Sequence, residues 1–136
     1  MEHESAFIPG MTGEKSIQVT SSNTALAMGS GSLEVFATPA MAALMEAAAA
    51  AAVEGVMPRD SSTVGSVLNI KHLSATPPGF IVRAKAVLKE VDGRVLRFLV
   101  EAYDDAGLIG EGHHERVVIN IEKFMDKTKS KKPREL

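Results

Sequence analysis

Cysteine and tryptophan are both absent from this 136-residue chain, and aromatic residues make up only 4% of it. Without cysteine there is no disulfide, no thiolate metal site and no cysteine nucleophile, and the absence fits a reducing compartment. The shortage of aromatic rings argues against the stacking platforms used by single-stranded nucleic-acid binders. An excess of one charge is missing too. Fifteen Lys and Arg against 17 Asp and Glu leave a formal net charge of -2, which asks for neither nucleic acid nor an anionic membrane. The longest apolar stretch, Ala47 to Val53, is far short of the ~20 residues of a membrane span. The acidic start, Met1-Glu2-His3-Glu4-Ser5, does not read as a secretory leader. A soluble, cytoplasmic protein is expected.

What is present suffices for one hydrophobic core: 45% of residues are hydrophobic and 24% charged, as in ordinary globular domains. Polar–apolar alternation over Glu14-Lys15-Ser16-Ile17-Gln18-Val19-Thr20 predicts a first strand, after a loosely ordered start. Thr24 to Ser32 reads as a small-residue connection. Next comes a helix, with Thr38 as N-cap and Pro39 as its first residue, running through Ala40 to Val53 and stopped by Gly55 and Pro58. Strands are predicted at Val64 to Leu73, Phe80 to Val91, Val95 to Tyr103 and Leu108 to Ile121. They are divided by Ala75-Thr76-Pro77-Pro78-Gly79, Asp92-Gly93 and Asp104-Asp105-Ala106-Gly107, all turn chemistry.

Short turns between successive strands argue for an antiparallel sheet. A helix of alanine, leucine and methionine must be covered nearly all round. The economical solution is an α+β fold in which a curved antiparallel sheet wraps the helix and a second copy covers the rest. The expected organisation is a flexible N-terminus over residues 1–14, one domain over 15–124 and a basic, solvated tail over 125–136.

Few residues offer chemistry. His113-His114-Glu115 has three ligand types in a row, but neighbouring side chains on a strand point to opposite faces. The simpler reading puts one histidine in solvent and the other inside, with no metal. Gly110-Glu111-Gly112 suggests a bulge or a close backbone approach rather than a phosphate loop. Thr38 stands where the helix dipole favours negative charge, either as a plain cap or beside a developing oxyanion. Glu46 interrupts an apolar helix, where a carboxylate is costly unless it is paired or faces water. His72, near the end of a strand, is either structural or an acid–base group. Thr38 and Glu46 are ~12 Å apart along the helix axis, so a shared site would need substrate, water or a second protomer between them.

These residues, in this order, resemble the fluoroacetyl-CoA thioesterase family of the hotdog superfamily. The matching segments are Leu33-Glu34-Val35-Phe36-Ala37-Thr38, Met41 with Leu44-Met45-Glu46, and Gly65 with His72. Further on come Ala75-Thr76-Pro77-Pro78-Gly79, Gly110-x-Gly112-x-His114-Glu115-Arg116 and Glu122-Lys123-Phe124. The resemblance spans Lys15 to Phe124. It implies a hotdog homodimer or dimer of dimers with sites at the subunit interface, and an acyl-CoA substrate. It also implies catalytic roles for Thr38, Glu46 and His72 and a carbonyl-binding backbone N–H at Gly65. Coenzyme A would enter as part of the substrate, with no separate cofactor. One departure bears on specificity: where the fluoroacetyl-selective enzyme carries aromatic residues as a lid, this chain has Ala27-Met28-Gly29-Ser30-Gly31-Ser32. A different acyl group is then expected. The reading from another class is a hotdog protein that binds acyl-CoA without turning it over.

Overall fold

The computed structural model describes residues 6–134. Its five strands and long helix follow the expected order, with two short helices added: β1 (Thr12–Gln18), α1 (Ala25–Met28), α2 (Thr38–Glu54), β2 (Ser61–His72), β3 (Ile81–Asp92), β4 (Val95–Asp104), β5 (Gly107–Asn120) and α3 (Ile121–Lys129). The five strands form one antiparallel sheet in the order β1-β3-β4-β5-β2, with α2 lying in its curl. This is the α+β hotdog architecture.

The alternation read from β3 has its structural counterpart. Val82, Ala84, Ala86 and Leu88 are fully buried against α2, whereas Arg83, Lys85 and Lys89 face outward. From β4, Leu96, Phe98, Val100 and Ala102 join them, and Met41, Met45, Ala48, Ala49 and Val53 meet them from the helix. Each large side chain buried this way contributes roughly 1.5–3 kcal/mol. Small residues let the layers close. A Cβ at Gly13 would run into the α2 backbone at Ala48 and Ala52, so only glycine lets β1 and the helix lie so near each other.

The chain departs from expectation at both ends and at two connections. Residues 1–5 lie outside the described part, but Thr12 and Gly13, placed in the flexible start, already pair with Val87 and Ala86. Just before them, Gly10 N–H donates to the Leu88 carbonyl and Leu88 N–H to that of Met11, a backbone pairing that side-chain pattern does not reveal. The connection after β1 contains a one-turn helix, α1, capped by the Thr24 hydroxyl on Ala27 N–H. The expected tail begins instead as helix α3, capped by Asn120, although its residues are exposed.

One consequence of topology matters for function. Helix α2 leans chiefly on β1 and β3, leaving the inner face of the edge strand β2 little covered by the helix, although His114 beside it on β5 is buried. On β2 that face carries Gly65, Leu68, Ile70 and His72, paired with Arg116, His114, Gly112 and Gly110 of β5.

Candidate active site

Thr38 is at the start of α2, but not as its cap. Ala37 takes the N-cap position without a side-chain hydrogen bond, and Pro39 follows Thr38 within the first turn. The backbone sets this start. Phe36 and Ala37 are buried, and their N–H groups donate to the carbonyls of Thr76 and Asn23. The Thr38 hydroxyl is therefore spared from capping. It lies 2.7 Å from His72 Nδ1, joining the helix start to the last residue of β2.

Burial lowers the His72 pKa below its ordinary value, and the neighbouring Ser74 backbone opposes that shift. A neutral ring whose Nδ1 accepts from the Thr38 hydroxyl carries its proton on Nε2. That buried nitrogen has no hydrogen-bond partner among the described residues. Beside the pair opens a cavity of about 300 Å³, lined by Ala25, Ser30, Val35, Phe36, Leu73 and Ala75 together with Thr38 and His72. On the side before the helix, Ala25 and Ser30 give part of its rim small side chains.

Glu46 is not a buried carboxylate: its side chain keeps 41% exposure. Its Oε2 is 3.6 Å from Arg116 Nη1. Gly65 borders the same carboxylate, since a Cβ there would stand 2.5 Å from Glu46 Oε2 and 3.2 Å from His114 Cε1. A register shift between Gly65 and Val67 interrupts the ladder at this point. Arg116 is held by Thr63, with Nε donating to the hydroxyl at 2.8 Å and Nη2 to the carbonyl at 3.1 Å. Burial lowers the Arg116 pKa and the Glu46 charge counters it, so the pair shields each other in a half-buried setting.

The four sequence-selected residues thus fall into two pairs. Thr38 meets His72 and Glu46 meets Gly65. Gly65 and His72 are seven residues apart on one strand, roughly 23 Å at ~3.3 Å per residue. Neither pair reaches the other within one chain.

Arg116 and His114 were given no role by sequence reasoning. The available signal was the two-residue period of β5, which puts Gly112, His114 and Arg116 on one face. The histidine doublet divides as that period requires: His113 is exposed and His114 is buried. The glycines of the same strand provide close approach, Gly110 to the Met41 thioether and Gly112 to the β2 backbone at Asn69 and Ile70.

Solved structures share this fold. The fluoroacetyl-CoA thioesterase FlK superposes with a TM-score of 0.87 at 34% identity, covering 94% of this chain and 99% of that one. A thioesterase superfamily member from Thermus thermophilus gives 0.84 at 27% identity, covering 90% of each chain. Fold and site together define a hotdog-fold thioesterase, a hydrolase of thioester bonds. A curated relative, the fluoroacetyl-CoA thioesterase of Streptantibioticus cattleyicolor, is 42% identical over 100 residues, 74% of this chain and 72% of the relative. The chain belongs to the family described as fluoroacetyl-CoA-specific thioesterase, whose sequence pattern matches residues 19–122.

Proposed function

We propose that this protein hydrolyses a small or medium acyl-CoA thioester with Thr38 as nucleophile and His72 as its base. The observation that carries the reading is the 2.7 Å contact between Thr38 Oγ1 and His72 Nδ1 at the positive end of α2. Threonine Oγ1 bonds to the thioester carbon as its proton passes to His72 Nδ1, and the carbonyl oxygen becomes an oxyanion. The Gly65 N–H and the first turn of α2 are suited to stabilise that charge. Collapse expels the coenzyme A thiolate, which takes the proton from His72. Water then attacks the threonine ester, giving a proton to Glu46, and the free acid leaves as the Thr38 oxygen takes that proton and regains its hydroxyl. The sequence is redox-neutral and needs no cofactor beyond the coenzyme A of the substrate.

Because the two residue pairs lie far apart within a chain, we further infer a homodimer, with dimers of dimers compatible. The edge strand β2 leaves Val67 and Leu68 exposed, and α2 leaves Ala43 and Ala47 exposed, surfaces suited to a second copy. In such a dimer the Thr38–His72 pair would face the partner's Glu46 and Gly65. The composition suits a cytoplasmic enzyme without nucleic-acid or membrane partners. No helix among the described residues is long and apolar enough to cross a membrane.

The test is thiol release from a panel of acyl-CoA substrates of increasing length and polarity. Turnover of at least one, lost in His72→Ala, is expected; tight binding without thiol release would favour a non-catalytic acyl-CoA-binding protein. The small-residue rim of the cavity leads us to expect fluoroacetyl-CoA to be no better a substrate than an unfluorinated acyl-CoA. Rapid-quench mass spectrometry should find acyl-Thr38; its absence during fast turnover would replace threonine attack by direct attack of water.

A further inference from the structure

His114 is a buried histidine that the proposed reaction does not use. It is 1% exposed, faces inward from β5, and packs beside the Phe98 ring at a centroid distance of 6.2 Å. A side chain serving only to fill this space would be apolar. Instead both ring nitrogens are engaged: Nδ1 is 2.7 Å from the Val67 carbonyl, and Nε2 is 3.1 Å from Arg116 Nη1.

The partners dictate the tautomer. A carbonyl oxygen only accepts and a guanidinium only donates, so Nδ1 must carry the hydrogen and Nε2 must offer its lone pair. The ring is then neutral. The nitrogen it receives from, Arg116 Nη1, is also the one that lies 3.6 Å from Glu46 Oε2. His114 therefore stands behind the contact between arginine and glutamate.

We propose that His114 is a positioning residue whose uncharged ring anchors the Arg116 guanidinium, and through it the Glu46 carboxylate, to the β2 bulge. The inference rests on the proposed role of Glu46. Three contacts aim the guanidinium: the hydroxyl and carbonyl of Thr63 and the lone pair of His114. With Nε2 protonated, a second donor would point at Arg116 and the anchor would be lost.

The charged groups around the ring act in both directions. Arg116, on the same strand, opposes a charge on His114. Glu46 of α2, 4.0 Å from Nε2, and Glu115 on β5 favour it, as does the Val67 carbonyl of β2; from β4 the uncharged Phe98 ring packs beside it. Burial outweighs them, and the ring stays uncharged at neutral pH.

Long-range proton–nitrogen NMR of the full-length protein reads the tautomer directly, with the His114 signals assigned by their loss in His114→Gln. The expected pattern at pH 7 is a protonated Nδ1 and a bare Nε2; a hydrogen on Nε2, or a charged ring, overturns the proposal. Two variants test the consequence. His114→Leu removes the acceptor and should lower kcat about tenfold or more, with KM within about threefold. His114→Gln, whose amide oxygen reaches near the Nε2 position, should recover to within about threefold of the unmodified enzyme. Leucine at full activity would overturn the proposal. Should the leucine variant fail to fold, the tautomer and the glutamine variant decide. A wild-type protein inert towards every acyl-CoA would sink the enzymatic reading instead, leaving the tautomer to decide the His114 arrangement.

Discussion

The Thr38 hydroxyl had two jobs open to it, capping α2 or reacting, and its contact with His72 distinguishes them. A capping threonine replaced by alanine typically costs about 1 kcal/mol of stability. Here Ala37 is the cap position and makes no side-chain bond. Thr38→Ala should therefore leave the denaturation midpoint nearly unchanged while lowering kcat by about 100-fold or more, measured by thiol release. A large stability loss with ordinary turnover would return the residue to a capping role. At Gly65 the argument is steric. A Cβ would press on Glu46 Oε2 and crowd His114. Gly65→Ala should lower kcat/KM about tenfold or more with little loss of stability, since β2 is an exposed edge; unchanged kinetics would remove Gly65 from the site.

Among the elements, α2 and the strands under it depend on small side chains more than on large ones. Gly13 of β1 lies against the α2 backbone, which cannot move aside as a flexible side chain can. Gly13→Ala should cost about 1–3 kcal/mol, read as a lower urea midpoint at unchanged slope. The edge strand β2 behaves differently. Its inner face is open, so groups projecting there are available to substrate or to a second copy. Its bulge beside Gly65 and its last residue, His72, mark the two ends of that face.

For the whole molecule, two titrations and one assembly can be foreseen. His72 and His114 both have pKa values lowered by burial in the folded state. Between each lowered value and the ordinary 6.5, the unfolded chain binds more protons than the folded one, so stability rises with pH. The contribution is present above pH ~6.5 and is lost as pH falls through the folded values. Thermal midpoints measured from pH 7.5 down to 5 should decline accordingly, and more gently in His114→Gln. The assembly can be tested by complementation. Thr38→Ala and Glu46→Ala are each expected to be inactive. If sites combine pairs from two protomers, a refolded equal mixture should recover about a quarter of wild-type activity: half the dimers are mixed, and each holds one intact site. No recovery would place the whole reaction within one chain.

The amino-acid sequence by itself determined the order and kind of the main elements, because period-two alternation, Asp92-Gly93 and the alanine-rich run act over a few residues. It also selected Thr38, Glu46, Gly65 and His72, through a resemblance spread over the chain rather than through any one motif. Only the tertiary structure decided how they group. Thr38 and His72 are 34 residues apart and meet because the buried Phe36–Ala37 corner brings the start of α2 to the end of β2. Glu46 meets Arg116 because α2 and β5, far apart in sequence, bring these two side chains together inside the curl of the sheet. Neither distance is written in local pattern, and a strand's periodicity says which face His114 and Arg116 share but not what stands opposite. That depends on how the sheet curls, which is set by packing many residues at once.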